Sequence, residues 1–274
     1  MNITVVIPTH NRYAFLKRTL SSVLLQSYQV TEIIVIDDGS SDKTSQIIND
    51  FPNIKYIYQD NSGVSAARNL GIKNASYEWI AFLDSDDEWC ETKLEEQVAL
   101  HKLNTDVLMS YTDEIWIRDG KNVKIPKKFR KQGNDTFLEN ISFCNIAPSS
   151  TLIHKSLFDK VGLFDESLEV CEDYDLWLRI ALNNKIALLN EKLIKKYAGH
   201  EDQLSFKYWG MDRFRVISLE KLLNTRESIS NEQEQMIRKE LLKKYTLLLK
   251  GAIKYKKELD IKHYEKKIAQ FRLS

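Results

Sequence analysis

An acidic run, Asp84-Ser85-Asp86-Asp87, follows a short apolar segment and carries the residue types best suited to hold a cation. In extended backbone, residues i and i+2 lie on one side about 6.5 Å apart, so Asp84 and Asp86 can converge on one ligand while Asp87 turns toward another. Carboxylates packed this closely repel one another unless a cation neutralises them, and such hard oxygen ligands suit Mg²⁺ or Mn²⁺. The alternative is an acidic turn that caps the helix predicted to begin near Glu91.

A second pair of acids, Asp37 and Asp38, also ends an apolar segment and precedes Gly-Ser-Ser. One carboxylate of such a pair can cap the following helix. Since two adjacent acids need not both cap, the other is a candidate to accept hydrogen bonds from a nucleotide base or ribose. Arg68 is a candidate partner for a phosphate or for an acid.

The sequence lacks the common glycine-rich and catalytic motifs. It contains no GxGxxG, GxxxxGK[ST], HExxH or GxSxG pattern. Neither a dinucleotide fingerprint nor a P-loop therefore explains a nucleotide site in this chain. If the protein binds a nucleotide, we expect side chains and a metal ion to hold it.

The elements that must position these acids are predicted from four short apolar runs, separated by segments with helical spacing. The runs cover residues 3 to 7, 33 to 36, 54 to 58 and 79 to 83. Continuous apolar runs suit strands covered on both faces, and their alternation with helices predicts a doubly wound parallel sheet. Ligands of such sheets bind beyond the carboxyl ends of the strands. This rule selects the segments PTHNR, DDGSSD and DSDD.

The rest of the chain is less regular. Asp119-Gly120-Lys121 is typical of a hairpin turn, and the basic segment at 126 to 135 is predicted to be a loop. A stronger helix is predicted over 172 to 182, with Glu172, Asp173 and Asp175 in its first turn. Without further information these three acids fit a favourable interaction with the helix dipole.

Composition limits the class of protein. The chain has 274 residues, a formal net charge of +1 and 43% hydrophobic residues. This balance argues against a nucleic-acid partner bound by bulk positive charge. Three cysteines without a CxxC pair favour a reducing compartment. No apolar run approaches the roughly 20 residues that span a bilayer, so the sequence predicts a cytoplasmic protein.

The C-terminal part, residues 236 to 274, is basic, with twelve Lys or Arg and four Asp or Glu. Three interpretations stay open for this helical tail. It packs its apolar residues on the main domain, it lies on the inner face of an anionic membrane as a peripheral contact, or it forms an oligomer contact. The first is the plainest.

Several motifs in a fixed order resemble the family 2 glycosyltransferases, which have the GT-A fold. The runs are VVIPTHNR at 5 to 12, IIVIDDGSSD at 33 to 42, NSGVSAARNLGI at 61 to 72, WIAFLDSDDEW at 79 to 89, PSSTLIHKSLFDKVGLFDESL at 148 to 168 and CEDYDLWLRIA at 171 to 181. The resemblance covers about residues 1 to 205. It implies a GT-A domain with a nucleotide-sugar half (1–112) and an acceptor half (113–205), followed by a helical extension (206–274).

The resemblance also implies roles for individual residues of the donor site. The nucleotide would be held by Pro8, Thr9, His10, Arg12, Asp38, Arg68, Asp84 and Ser85. A Mn²⁺ or Mg²⁺ cofactor would be held by Asp86, Asp87 and His200. Ala198 departs from the family pattern, in which an arginine is frequent, so diphosphate contacts at that segment are not implied.

For the acceptor side, the resemblance places the catalytic base at Asp173, with Glu172 beside it. A carboxylate there would take the proton of an acceptor hydroxyl as the new bond to the sugar forms. Trp89 and Trp177 are expected to stack on sugar rings, because both lie near ends of elements predicted to face ligand.

These expectations together describe an inverting, metal-dependent glycosyltransferase that takes a nucleotide-sugar donor, in the first place a UDP-sugar. Its acceptor would be a glycan or lipid-linked oligosaccharide in the synthesis of a surface polysaccharide such as capsule or O-antigen. Two alternatives from other classes are a noncatalytic sugar-nucleotide-binding scaffold subunit and a nucleotidyltransferase. The intact acidic motifs disfavour the first, and PTHNR lacks the glycine-rich loop of the second.

Overall fold

The computed structural model describes residues 1–133, 135–197, 199, 208, 210–225 and 229–272. Within these ranges nine strands form one sheet. The strands are β1 (Ile3–Thr9), β2 (Glu32–Asp38), β3 (Lys55–Gln59), β4 (Trp79–Phe82), β5 (Glu88–Trp89), β6 (Met109–Arg118), β7 (Lys121–Val123), β8 (Thr151–His154) and β9 (Ile186–Tyr197).

Helices cover the sheet and extend beyond it at the C-terminal side. They are α1 (Tyr13–Leu24), α2 (Ile47–Asp50), α3 (Val64–Asn74), α4 (Lys93–Leu103), α5 (Thr136–Asn140), α6 (Ser156–Val161), α7 (Glu172–Ala181), α8 (Asp212–Asn224), α9 (Asn231–Lys254) and α10 (Glu258–Arg272). Short 3₁₀ turns lie at Lys43–Gln46, Lys127–Phe129 and Pro148–Ser150. The predicted α/β architecture with a helical C-terminal part is confirmed.

The four apolar runs form the parallel half of the sheet, in the order β3-β2-β1-β4. All seven residues of β1 are buried, because helices cover both faces of this strand. The order reverses at β1, which has β2 on one side and β4 on the other. The carboxyl ends of β1 and β4 therefore flank the crevice in which open α/β sheets bind ligands.

The other half of the sheet is mixed. β8 runs antiparallel to both β4 and β6, whereas β6 and β9 are parallel to each other. The predicted hairpin joins β6 to β7, and its turn residues Asp119 and Gly120 both have positive φ, 50° and 71°. An irregularity in the pairing near Asp113 shifts the register of β6 against β9 and redirects the side chains beyond it.

The register also relates β6 to the acidic run. Met109 on β6 and Ile80 on β4 are both paired with Ile153 of β8. Because β6 and β4 point the same way, the part of β6 beyond Tyr111 extends past the end of β4. This part of β6 therefore extends toward the same edge of the sheet as the segment that carries the acids, with β8 between the two strands.

The C-terminal helices share a hydrophobic core with the main body. Leu219 on α8, and Leu241 and Tyr245 on α9, pack in one buried cluster with Tyr174 and Leu178 of α7. This packing agrees with the interpretation in which the basic tail buries its apolar residues on the main domain. The described helices include none with the length and apolar character needed to cross a membrane.

Candidate functional site

The acidic run follows β4 and is held in a tight turn. The Asp87 N–H donates to the Asp84 carbonyl oxygen at 3.0 Å. Ser149 fixes both ends of the turn, since its Oγ accepts from the Asp84 N–H at 3.1 Å and donates to Asp87 Oδ2 at 2.7 Å. From the other side, the Thr19 hydroxyl lies 2.9 Å from the Ser85 carbonyl oxygen and 2.8 Å from that of Asp87. The backbone of the run is thus fixed by hydroxyl groups of α1 and of the Pro148–Ser150 turn.

The loop after β1 reaches the same acids through Arg12. The Arg12 guanidinium pairs with Asp86 Oδ2 at 2.8 Å. The loop turns at Asn11, which has a positive φ of 52°, and the Asn11 Oδ1 accepts from the Ser41 N–H at 2.8 Å. Two of the three segments selected from the sequence, PTHNR and DDGSSD, are therefore joined by direct hydrogen bonds, and the third is joined to PTHNR by an ion pair.

Other residues of the first loop face the second one. His10 Nδ1 lies 2.7 Å from the Asp38 carbonyl oxygen. Thr9 is buried next to Pro8, and its Oγ1 has no hydrogen-bond partner among the described residues. An unpaired buried hydroxyl is costly in a folded protein, so Thr9 Oγ1 is a candidate to bond a ligand.

Asp38 anchors the start of α3. Its Oδ1 accepts from Gln59 Nε2 at 2.6 Å and from the Ser62 N–H at 2.8 Å, and its Oδ2 accepts from the Gly63 N–H at 2.9 Å. The Asp38 carboxylate is thus at the carboxyl end of β2, as predicted, with a clear positioning role. The neighbouring Asp37 accepts from Tyr56 and from the Ser40 N–H.

Arg68 connects the acidic run to α7. Its Nη2 donates to Asp84 Oδ1 at 2.7 Å and its Nη1 donates to Glu172 Oε1 at 2.6 Å. The Arg68 side chain is only 4% exposed. Burial lowers the pKa of Arg68, but the two carboxylates outweigh burial and raise it. Arg68 is therefore a permanent cation that fixes the start of α7 against the end of β4.

The negative charge of the run is only partly neutralised. Burial raises the pKa of Asp86 despite the Arg12 charge, and burial together with the Asp86 charge raises the pKa of Asp87 well above its usual range. Burial also raises the pKa of Asp84, but the charge of Arg68 outweighs burial, so the pKa of Asp84 is lowered. A cation beside Asp86 and Asp87 would relieve the remaining repulsion.

Asp173 lies in the first turn of α7, next to Glu172. Its Oδ1 accepts from the Tyr174 N–H at 2.7 Å, and its Oδ2 is 3.5 Å from Cys144 Sγ. Burial, and then the Asp173 charge, raises the pKa of Cys144 well above its usual range, so the thiol stays protonated and donates. The third acid of this turn, Asp175, points elsewhere and pairs with Arg179 and Lys221.

The structure corrects the expectation for the two tryptophans. Trp177 is 0% exposed and its Nε1 donates to the Ile146 carbonyl oxygen at 3.0 Å. Trp89 is 3% exposed and its Nε1 donates to the Ser149 carbonyl oxygen at 2.8 Å. Both indoles pack in the core, because each has a buried backbone acceptor for its N–H. Neither offers a ring face to a sugar.

His200 is the third residue expected to bind the metal ion. It lies outside the described residues, as does Ala198. Over the described ranges, no group of three or more His, Cys, Asp or Glu side chains is arranged to hold a metal ion. The oxygen ligands at Asp86 and Asp87 nevertheless suit a hard divalent cation that takes its other ligands from phosphate oxygens or water. Both carboxylates already have protein partners, since Asp86 Oδ2 pairs with Arg12 and Asp87 accepts from Ser149 Oγ and the Tyr197 N–H.

Two site residues were not singled out from the sequence. Ser149 holds the acidic turn. Lys196 near the end of β9 faces several acids at once: burial lowers its pKa, but the charges of Glu114 and Asp87 outweigh burial and raise it. The strand pairing of β9 with β6 brings Lys196 there, which no local motif signals.

A cavity of about 510 Å³ opens next to this part of β6. Its wall includes Glu114, which interacts with both Lys131 and Lys196. Aromatic and charged side chains from β6, the β7 side and β9 also line it; among them are Asp113, Trp116, Lys124, Phe129, Arg130 and Lys192. Phe129, Arg130 and Lys131, which belong to the predicted basic loop, thus line this cavity.

Relatives of known sequence agree on one family. The sequence profile described as Glycosyl transferase family 2 matches residues 4–162. An uncharacterized glycosyltransferase of Rickettsia typhi is 35% identical over 199 residues, which are 70% of this chain and 63% of that protein. The Escherichia coli protein named UDP-Glc:alpha-D-GlcNAc-diphosphoundecaprenol beta-1,3-glucosyltransferase WfaP is 33% identical over 201 residues, 71% of this chain and 76% of its own length.

Solved structures agree on the fold. TarS residues 1–349 of S. aureus in complex with UDP-GlcNAc align with a TM-score of 0.69 at 19% identity, covering 100% of this chain and 92% of that one. A longer TarS structure aligns with a TM-score of 0.71 at 23% identity, covering 89% of this chain and 43% of that one. The profile match extends over more than half of the 274 residues. The chain therefore belongs to glycosyl transferase family 2.

Proposed function

We propose that this protein is an inverting, metal-dependent glycosyltransferase that moves a sugar from a UDP-sugar to a hydroxyl group of a lipid-linked glycan. One observation carries the proposal: Arg68 ties the acidic run after β4 to the start of α7, where Asp173 lies. A donor-binding group and a candidate base are thereby held in one rigid arrangement. The relative WfaP, named for a UDP-Glc donor and a diphosphoundecaprenol-linked acceptor, supports these substrate classes.

The donor would lie in the crevice between the ends of β1 and β4. Thr9 offers an unpaired hydroxyl and Arg12 a guanidinium that already contacts Asp86. Asp86 and Asp87 would hold Mn²⁺ or Mg²⁺. When bound, the cation supplies neutralising charge for the diphosphate that leaves. The TarS complexes with UDP and with UDP-GlcNAc support a uridine nucleotide on this fold.

Asp173 would act as the base. An acceptor hydroxyl is a weak nucleophile, so its proton must move to a carboxylate as the bond to the sugar forms. The Tyr174 N–H and the Cys144 thiol bond one oxygen each and so fix the orientation of the carboxylate. Attack from the face opposite the leaving diphosphate inverts the anomeric centre.

The acceptor would use the cavity beside β6. Its aromatic residues Trp116 and Phe129 suit a sugar ring, and the basic residues Lys124, Arg130 and Lys192 suit an acceptor diphosphate. This cavity replaces Trp89 and Trp177 as the proposed place of sugar contact.

The test is transfer from radiolabelled UDP-sugars, UDP-Glc and UDP-GlcNAc among them, to a GlcNAc-diphospho-lipid acceptor. We expect Asp173→Asn to lower the rate by about a hundredfold or more while UDP binding, measured by calorimetry, is kept. The matched control is Asp106→Asn, an exposed loop acid, which should transfer at the wild-type rate. Near-wild-type transfer by Asp173→Asn would contradict the role of the base. If the wild type binds UDP-sugars but neither transfers nor hydrolyses any, the noncatalytic scaffold alternative holds instead.

A further inference from the structure

We propose that the last two turns of α9, the turn that follows and the start of α10, residues 247–259 (the α9–α10 tip), dock on an anionic lipid surface. The inference rests on the proposed function, because an enzyme with a lipid-linked acceptor has to work at a bilayer. Within the basic tail of 236–274, the inference assigns the membrane contact to this one segment and identifies anionic lipid as its partner.

The first observation is a concentration of exposed apolar side chains. Leu247 is 52% exposed, Ile253 55%, Tyr255 67% and Leu259 84%. These four lie within thirteen consecutive residues, although large exposed apolar side chains are otherwise scattered over the described parts of the chain. Apolar side chains that cluster on a surface indicate a site of interaction.

The second observation is the charge between these apolar residues. The α9–α10 tip contains four lysines and one acid, Glu258; the lysines are Lys250, Lys254, Lys256 and Lys257. All four are exposed. Lysine is depleted at protein interfaces, whereas its long apolar stem and charged head suit the boundary between lipid chains and anionic headgroups. Tyr255 suits the same boundary, with an apolar ring and a polar hydroxyl. The combination therefore favours an anionic bilayer over a second protein.

The third observation is that the tip has a defined shape. Just after the end of α9, Lys256 has a positive φ of 53°, and the Lys257 N–H donates to the Ala252 carbonyl oxygen at 2.9 Å. Such closure of a helix end fixes the direction in which the following residues leave. Ala252 and Tyr264, just behind the tip, are buried in the cluster that also contains residues of α7. The tip and the helix that carries Asp173 thus belong to one packed unit.

The test is co-sedimentation of the full-length chain with vesicles of phosphatidylcholine alone or mixed with phosphatidylglycerol. We expect binding to the mixed vesicles that weakens with salt, and little binding to phosphatidylcholine. Replacing all four lysines by Gln should lower the affinity by roughly 600-fold, since each contributes roughly fivefold near an anionic surface. The double variant Tyr255→Ser with Leu259→Ser should also lower the affinity for the mixed vesicles. Leu103→Ser is the matched control, because Leu103 is 85% exposed on α4, outside the tip.

Activity separates this inference from the proposed function. The tip variants should transfer sugar to a short, water-soluble acceptor at the wild-type rate and lose transfer only to a long-chain acceptor in vesicles. Unchanged vesicle affinity of both tip variants would overturn the inference. A wild-type dimer in light scattering that becomes a monomer on Tyr255→Ser with Leu259→Ser would also overturn it, in favour of a second copy. Vesicle binding without transfer to either acceptor would leave the docking in place and contradict the proposed function.

Discussion

At the scale of residues, the site depends on one buried arginine between two carboxylates. Arg68 pairs with Asp84 at the end of β4 and with Glu172 at the start of α7. A buried ion pair adds little stability compared with apolar packing, but it is costly to break, because the remaining partner keeps an uncompensated charge. Removal of the Arg68 guanidinium would leave both carboxylates, those of Asp84 and Glu172, without their partner. Arg68 is best described as a positioning residue for both halves of the site.

We expect Arg68→Met to lower the free energy of unfolding by about 3–5 kcal/mol, measured by urea denaturation. The free energy of unfolding of Arg68→Lys should lie between those of this variant and the wild type, because a lysine keeps the charge but cannot bond two carboxylates in the same geometry. The control is Arg238→Met, whose partner Glu234 lies on the surface of α9, with an expected loss of about 0–1 kcal/mol. Equal losses for Arg68→Met and Arg238→Met would show that Arg68 does not hold the site together.

At the scale of elements, α3 lies unusually close to β1. A Cβ atom at Gly71 would come within 2.2 Å of Val6 Cγ1, so only glycine lets the helix approach the strand here. This contact brings Arg68, less than one turn earlier on α3, to the end of β4. The glycine is thus part of how the sheet positions the site.

We expect Gly71→Ala to destabilise the protein by about 1–3 kcal/mol, because the added methyl group overlaps a packed side chain. Gly251→Ala on α9 is the matched comparison, since a Cβ there meets nothing within 4 Å. That change should stabilise the helix by about 1 kcal/mol. Thermal unfolding of the two variants measures both effects on stability. Effects of the same sign would contradict the close contact between α3 and β1 at Gly71.

The parallel half of the fold was predictable from the sequence because its strands are short apolar runs that alternate with helical segments along the chain. The acids after β2 and β4 could be placed for the same reason. The mixed half of the sheet was not predictable, because the pairing of β9 with β6 joins segments far apart in sequence. This pairing also brings Lys196 to the acids. The burial of Trp89 and Trp177 was missed because their N–H groups find backbone acceptors that only the folded chain supplies.

At the scale of the whole molecule, the chain combines the proposed donor crevice, a cavity on β6 and a C-terminal helical unit. The crevice lies where the strand order reverses, the cavity lies on β6, and α8 to α10 pack on α7 from the other side. The helix with Asp173 therefore contacts the donor side through Arg68 and the C-terminal side through its apolar residues. Among the described residues, α7 is one route by which a change at the C-terminal helices can reach the site; α5, whose Phe137 and Ile141 lie in the same buried cluster, is another.

The central claim is that the acids after β4 bind a nucleotide diphosphate through a divalent cation. Calorimetric titration of UDP into the protein, with Mn²⁺ and then with EDTA, tests it most directly. We expect Mn²⁺ to strengthen UDP binding by about tenfold or more, and Asp86→Asn to lose this gain. Equal UDP affinity with Mn²⁺ and with EDTA, or an Asp86→Asn variant with the full gain, would contradict the claim.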